Sequence, residues 1–193
     1  MQNKERTISK KAYLLNLINS SKLFWIFSFT ILTAIAAQIT VPVKPVPFTL
    51  QTMMVVLSGA FLGKKNGALS QLAYLFLGII GLPVFAQIPD ATIGIARLLG
   101  PTGGYLLTFP FAAYLTGWVI EKNKNYINAV VSMFLGEIFI LTLGSLYLGV
   151  FYLKDIKLAI IEGGVVFLIW TVVKVFVAAG IYSGITKKFS KKS

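Results

Sequence analysis

The chain has 193 residues, 56% of them hydrophobic, and a mean hydropathy of +0.81. Soluble domains rarely exceed about 50% apolar residues, so these values indicate a membrane protein. The formal net charge is +12, and the sequence contains no cysteine and no histidine. It therefore lacks thiol nucleophiles, disulfides, imidazole bases and the usual zinc ligands, and we expect no metal, no cofactor and no enzymatic activity. The basic residues are spread over the ends and short loops, which argues against nucleic-acid binding.

Six apolar segments follow one another along the chain. They cover residues 23–39, 50–62, 68–80, 105–120, 127–150 and 163–185. A transmembrane helix needs about 17–25 residues, so the second and third segments predict tilted helices or helices joined to re-entrant loops. We predict an all-α polytopic bundle of six transmembrane helices. The bundle covers residues 23–186, between a basic N-terminal segment, 1–22, and a basic tail, 187–193.

The charges of the loops predict the orientation of this bundle. With six spans, both ends and the loops 64–66 and 121–126 share one side of the membrane, which carries Lys4, Arg6, Lys10, Lys11, Lys22, Lys64, Lys65, Lys122, Lys124, Lys187, Lys188, Lys191 and Lys192. The opposite side carries Lys44, Arg97, Lys154 and Lys157. Because basic residues favour the cytoplasmic side, we expect cytoplasmic ends and a multi-pass protein surrounded by lipid of the cell membrane.

Two loops on the opposite side differ from ordinary solvated linkers. Residues 40–49, TVPVKPVPFT, contain three prolines, which forbid a helix and favour an extended path. Residues 82–104 are long, apolar and rich in glycine and proline. Such a loop predicts a lid that folds back over the bundle, and the alternative is a packing loop without a ligand.

Residues 58–65, SGAFLGKK, resemble a phosphate-binding loop only in part. Ser58 replaces the first glycine of that motif, and Lys65 replaces the Ser or Thr that holds magnesium. The segment therefore predicts no nucleotide hydrolysis. Energy for any transport must come from another subunit or an ion gradient.

Two ionisable residues fall inside the predicted spans, Glu137 in the fifth and Lys174 in the sixth. A lysine at that depth costs about 2.5–3.5 kcal/mol on insertion scales and by default marks a functional site. Its ammonium suits the anionic group of a solute, but the two residues also suit a buried ion pair. Thr171 precedes Lys174 by three residues on nearly the same helix face, and Trp170 is placed to close a pocket wall.

Other polar residues near the ends of the spans are candidates to line a cavity. Gln51 lies at the start of the second span, Tyr74 in the third and Tyr105 at the start of the fourth. A tyrosine offers a flat apolar face with a hydroxyl handle. Such residues also serve as hydrogen-bond partners between helices or as anchors at the membrane interface, so both interpretations stay open.

The first span carries small residues in two pairs, Thr33 with Ala37 and Ala36 with Thr40. This spacing allows two helices to approach closely. It predicts either packing within the chain or a docking face for a membrane partner.

Three stretches closely resemble the BioY family: PVPFTLQTMMVVLSGAFLG (45–63), GALSQLAYLFLGIIGLPVFA (67–86) and LLGPTGGYLLTF (98–109). The resemblance is dense over residues 34–120 and looser elsewhere. It implies a biotin-capturing S-component of an energy-coupling factor (ECF) transporter, with six helices and cytoplasmic ends. The implied partners are biotin, one transmembrane scaffold subunit and two ATPase subunits.

The resemblance also implies a binding site near the outer face, under the first and third loops. Lys174 matches a lysine of the sixth helix that helps to hold this site. The first loop and the start of the second helix map onto residues 46–51, and a polar position of the third loop maps onto 87–92. The expected substrate-binding residues are Phe48, Thr49, Gln51, Tyr74, Gln87, Asp90, Tyr105, Thr171 and Lys174.

The chain departs from this family at two positions. Thr171 stands where members often have Asp, and Leu106 stands where some have Arg. One alternative is therefore an S-component for another small carboxylated vitamin. An alternative of another class is a structural membrane protein without a solute. The sequence leaves open whether the chain works alone, as a homodimer or with ATPase partners.

Overall fold

The computed structural model describes residues 21–87 and 92–190 and is mostly helical, which confirms the predicted helical class. In chain order the elements are α1 (Lys22–Gln38), β1 (Thr40–Val41), β2 (Phe48–Thr49), α2 (Gln51–Ile79), α3 (Ile95–Leu98), α4 (Gly103–Ile120), α5 (Tyr126–Leu148), α6 (Ile156–Gly163) and α7 (Leu168–Ser190). A π-helical turn, Gly149–Leu153, follows α5, and a 3-10 turn, Val165–Phe167, precedes α7. Most of the basic N-terminal segment, 1–22, lies outside the described residues.

Helix α2 is a hairpin of two arms that meet at Gly63. The backbone there has φ +77° and ψ 172°, a conformation that glycine adopts at no steric cost. The arms, 51–62 and 64–79, run antiparallel, since Gln71 donates from Nε2 to Ser58 Oγ at 3.1 Å. They correspond to the second and third predicted spans, although the second arm begins before residue 68.

Glycine lets the two arms and α4 approach closely. A Cβ atom on Gly67 would lie 2.7 Å from the Cα of Gly59, and one on Gly59 would lie 2.2 Å from the Ala113 carbonyl oxygen of α4. Distances below 3.0 Å to backbone require the backbone itself to move. These positions therefore fix the spacing between the hairpin and α4.

The turn of the hairpin is tied to the end of α4 by Glu121. Its carboxylate accepts from the Lys64 backbone N–H at 3.0 Å and pairs with the Lys64 ammonium at 3.0 Å. These two contacts hold the pKa of Glu121 below its usual range. The first backbone N–H groups of a helix have no intrahelical partner, and the Glu121 carboxylate accepts from one of them at the start of the second arm.

The proline-rich loop forms a small two-stranded antiparallel sheet. β1 pairs with β2 in the register Thr40↔Thr49 and Val41↔Phe48. The extended path expected for residues 40–49 is therefore present, and it returns the chain to the start of α2.

The sixth predicted span, 163–185, differs most from the structure. The chain breaks at Gly164, where φ is −123° and ψ is −70°, and α7 starts only at Leu168. The Gly163 carbonyl, at the end of α6, accepts from the Tyr105 hydroxyl at 2.8 Å. A hydropathy pattern cannot locate this break, because apolar residues continue across it.

Three helical stretches among the described residues are long and apolar enough to cross a membrane: Gly103–Ile120, Tyr126–Leu153 and Ile156–Lys188. Helix α1 is apolar but has only 17 residues. At 1.5 Å per residue the arms of α2 measure about 18 and 24 Å, against a hydrocarbon core of about 30 Å. Many large apolar side chains face outward, with Ile169 81% exposed, and so apolar a surface fits lipid better than water.

Two buried apolar clusters fill the interior. One includes Tyr105 and Ile140, and the other includes Met133 and Tyr182. Along α5, Glu137 falls between Met133 and Ile140, so its charge lies where the two clusters adjoin. The site described below begins at this junction.

We predict that Gly67→Leu destabilises the bundle by about 1–3 kcal/mol, because the added side chain meets backbone in a well-packed interface. The matched control is Gly180→Leu in α7, where a Cβ meets no atom within 4 Å. The measurement is the midpoint of thermal unfolding in detergent. Equal midpoints for the two variants would contradict this packing account.

Candidate functional site

A cavity of about 60 Å³ lies beneath the β1–β2 connection, between α2, α4, α5 and α7. Its polar wall is formed by Thr49, Gln51, Thr52, Arg97, Thr102, Tyr105, Glu137, Trp170 and Lys174. Its apolar wall is formed by Val46, Pro47, Phe85, Ala86, Leu106, Phe109, Ile140, Leu141 and Phe167. A mostly apolar pocket with a few convergent polar groups is the usual form of a small-molecule site.

Lys174 of α7 is held at one side of this cavity by two neighbouring helices. Its Nζ lies 3.1 Å from Glu137 Oε2 of α5 and also donates to Thr52 Oγ1 of α2. The Thr52 hydroxyl in turn donates to Glu137 Oε1 at 2.8 Å. Lys174 is 6% exposed and Glu137 is 1% exposed, and a buried charge of this kind needs a hydrogen-bonded partner.

This arrangement combines the two interpretations of Lys174 that the sequence left open. The ammonium forms the buried ion pair with Glu137. Lys174, Glu137 and Thr52 also all line the cavity. An ammonium has three N–H donors. Within the described part of the chain, two of them donate to Thr52 and Glu137. One donor is therefore left for an oxygen atom in the cavity.

Arg97 of α3 brings a second cation to the same wall. It is 4% exposed, and its Nη2 donates to the Ala86 carbonyl oxygen at 2.9 Å. Its Nε finds no acceptor among residues 21–87 and 92–190. Burial lowers the pKa of Arg97, but arginine starts so high that the guanidinium stays charged at neutral pH. A buried donor without a partner is costly, and a ligand acceptor in the cavity would satisfy it.

From the sequence alone, Arg97 was expected only as an outer loop charge and not as part of a site. One signal could have found it, since Arg97 is the single basic residue of the apolar segment 82–104. A cation in a segment that folds over a bundle has few water molecules to solvate it. Thr102 is a second residue that the sequence analysis missed, and its buried hydroxyl has no partner within the described ranges.

Gln51 and Trp170 tie the loops above the cavity to the helices. Gln51 Nε2 donates to the Tyr74 hydroxyl at 2.7 Å, and that hydroxyl donates to the Val84 carbonyl at 3.0 Å. Trp170 Nε1 donates to the Thr49 carbonyl at 3.2 Å. These hydrogen bonds fix the backbone at Thr49, which precedes α2, and at Val84, which follows α2.

The predicted binding residues fall into three groups. Thr49, Gln51, Tyr105 and Lys174 lie on the cavity wall. A second group is placed behind it: Tyr74 is fully buried, Phe48 packs on Phe167 with ring centroids 4.4 Å apart, and the Thr171 hydroxyl is buried with no partner in the described structure. Gln87 is exposed and does not line the wall, and Asp90 lies outside the described residues. Contact of any of them with a ligand stays a prediction.

The small-residue face of α1 lies inside the chain. Thr33, Ala36 and Ala37 are buried, and Gln71 Nε2 of the second α2 arm donates to Thr33 Oγ1 at 3.3 Å. Thr40 belongs to β1 and is half-buried. This placement corresponds to packing within the chain, the first of the two alternatives that the spacing left open.

The charges and donors of the cavity fit binding of an anion. Two cations and one carboxylate line it, together with hydroxyl, amide and indole groups. Among the residues that the structure describes, no three His, Cys, Asp or Glu side chains come together to hold a metal ion.

Comparisons with known proteins agree with this architecture. The chain is 42% identical over 151 residues to a protein of Thermotoga maritima called biotin transporter BioY, with 78% of this chain and 87% of that protein covered. It is 44% identical over 106 residues to a probable biotin transporter BioY of Pyrococcus horikoshii, with 54% of this chain and 62% of that protein covered.

A solved structure is similar as well. It is the crystal structure of the S-component for biotin from an ECF-type ABC transporter, with a TM-score of 0.78 and 28% sequence identity. The match covers 86% of this chain and 90% of that one. The sequence model of the BioY family matches residues 6–191, which is nearly the whole chain, and the chain therefore belongs to the BioY family.

Proposed function

We propose that this chain is the membrane subunit that captures biotin for uptake. The observation that carries the proposal is the cavity in which Lys174 and Arg97 converge beneath the β1–β2 connection. Support comes from relatives that are called biotin transporters and from the similar S-component for biotin. The chain acts as a binding protein and a carrier, and it is not an enzyme.

The chemical groups of biotin suit the polar wall and the apolar wall of the cavity. Its carboxylate is directed to the remaining N–H donor of Lys174, where a charge-assisted bond in a low-dielectric site is strong. Its ureido group takes donors and acceptors from Gln51 and from the unpartnered Nε of Arg97. Its apolar ring packs against side chains such as Phe109 and Trp170.

Entry of biotin requires the cavity to widen. A volume of about 60 Å³ holds only a few water molecules, whereas sites for small ligands commonly measure about 300–1,000 Å³. We infer that the segment 40–49 moves outward to admit the ligand, which breaks the Trp170–Thr49 hydrogen bond to α7. Its return over the ligand then shields the ion pair from water.

The proposed topology has six spans with both ends in the cytoplasm. Helix α1, the two arms of α2 and helices α4, α5 and α7 supply the spans, and the short arms tilt or meet a locally thinned bilayer. The excess of basic residues on the side of the chain ends supports this orientation. The cavity then opens toward the outer face of the cell membrane.

Release into the cytoplasm needs energy from other subunits. Residues 58–65, which partly resemble a phosphate-binding loop, span the turn of the α2 hairpin. The Lys64 backbone N–H there donates to the Glu121 carboxylate, so it is not available to a nucleotide phosphate. We assign this task to a transmembrane scaffold with two ATPase subunits. The similarity to an S-component of an ECF-type ABC transporter supports these partners.

The absence of cysteine from the sequence allows the topology to be tested directly. We expect Lys157→Cys to react with a membrane-impermeant maleimide in intact cells. Lys65→Cys should react only after the membrane is permeabilised, because both side chains are exposed but face opposite sides. Labelling of both variants in intact cells, or the reverse order, would refute six spans with cytoplasmic ends.

The ligand is tested by thermal unfolding of the purified protein with added vitamins, since a ligand that binds the folded state raises the midpoint. We expect biotin to raise the midpoint, while lipoate, pantothenate and thiamine do not at equal concentration. Lys174→Met and Arg97→Met should each weaken biotin binding by about ten- to a hundredfold, because each removes a hydrogen bond from a charged donor.

The matched control for both substitutions is Lys154→Met, an exposed outer lysine that should leave biotin affinity unchanged. Arg97→Met carries particular weight, because Arg97 forms no ion pair with a carboxylate in the described structure and its loss leaves no buried charge unpaired. Unchanged biotin affinity in a folded Arg97→Met protein would remove Arg97 from the site. If another carboxylated vitamin raises the unfolding midpoint and biotin does not, that vitamin is the substrate instead of biotin.

A further inference from the structure

Of the charged groups that the described residues bring to the cavity wall, Glu137 is the one that the proposed mechanism does not use. It lies on α5, opposite Lys174 of α7, and is nearly fully buried. A ligand carboxylate drawn to Lys174 must approach this resident carboxylate. Like charges a few ångströms apart repel strongly where water is scarce, so Glu137 opposes the binding that Lys174 favours.

Among residues 21–87 and 92–190, the ionisable groups of the wall are Lys174, Arg97, Glu137 and the phenol of Tyr105. The phenol is uncharged and donates to the Gly163 carbonyl. The two cations and the single carboxylate therefore leave one positive charge facing the cavity. A buried site tolerates an unbalanced charge poorly, and a ligand with one negative charge balances this wall.

We propose that Glu137 is a specificity-determining residue that sets the cavity to accept a ligand with a single negative charge. This inference rests on the proposed function and deepens it. A monocarboxylate shares the Lys174 ammonium with Glu137 and brings the wall to neutrality. An uncharged analogue leaves the positive charge unbalanced, and a dicarboxylate leaves an excess negative charge close to Glu137.

A purely structural role for Glu137 predicts a different outcome. If the carboxylate only held Lys174 in position, its replacement would leave binding of biotin unchanged or weaken it. If it sets the charge of the wall, its replacement leaves two uncompensated cations, and these attract the biotin carboxylate more strongly. Glutamine keeps the shape of the side chain and an oxygen acceptor for Lys174, so Glu137→Gln separates the two roles.

The experiment measures dissociation constants for biotin and for its uncharged primary amide, biotinamide, with the purified protein. The readout is the ratio of the biotinamide constant to the biotin constant. We expect Glu137→Gln to raise this ratio by about tenfold, through tighter biotin binding. Glu162→Gln, which removes a carboxylate of α6 outside the cavity wall, is the control and should leave the ratio unchanged.

A second comparison keeps the test valid if a single substitution unfolds the protein. Lys174→Gln leaves Glu137 as an unpaired buried charge, whereas the double substitution of Lys174→Gln with Glu137→Gln removes both charges and should fold more readily. We expect the double variant to bind biotin several-fold more tightly than Lys174→Gln alone, since Glu137 no longer repels the ligand. If the Lys174→Gln protein does not fold, the double variant is compared with the wild type and should keep a clear preference for biotin over biotinamide.

The results separate failure of this inference from failure of the proposed function. A wild-type protein that binds neither biotin nor biotinamide would reject the function itself. A wild type that binds biotin, together with a Glu137→Gln ratio equal to or below the wild-type ratio, would overturn the role of Glu137 alone. A double variant that has lost its preference for biotin would overturn it as well.

Discussion

A lysine ammonium buried in the middle of a helical bundle has to be balanced, and the way this chain balances Lys174 organises the rest of the site. Glu137 and Thr52 reach the ammonium from two other helices, so the charge joins α2, α5 and α7. An ion pair at this depth is not stabilising by default, but the loss of one partner is costly. The same contacts bring the ammonium to the wall of a cavity, which links the packing of the bundle to ligand binding.

The rest of the site depends on the close approach of helix backbones and on loops that are hydrogen-bonded to the helices. Gly59 and Gly67 let the arms of α2 pack against each other and against α4, which places Gln51 beside Tyr74 at the open end of the hairpin. The β1–β2 sheet and α3 then cover that end, and α3 carries Arg97 inward. The polar site thus lies where these short segments meet the few polar side chains of otherwise apolar helices.

Much of this architecture could be predicted from the sequence, because hydropathy, proline content and loop charges act locally. The hairpin of α2, the extended path of residues 40–49 and the position of Lys174 inside the bundle all follow from such local signals. Arg97 could not be placed, since its position depends on how segment 82–104 folds back, and its charge fitted a loop equally well. The break at Gly164 was missed because Gly163 is fixed by Tyr105 from a distant helix. Tyr74 is buried behind the wall and accepts from Gln51, and its contact with the ligand stays a prediction.

The central claim is that the cavity beside the ion pair takes the acid group of biotin. A crystal or cryo-electron microscopy structure of the chain with bound biotin tests this claim most directly. The account predicts a carboxylate oxygen of biotin within about 3.5 Å of Lys174 Nζ, with the ureido group near Gln51 and Arg97. It would be contradicted by biotin bound elsewhere, with the Lys174 ammonium still held by Glu137 and Thr52, its partners among the described residues.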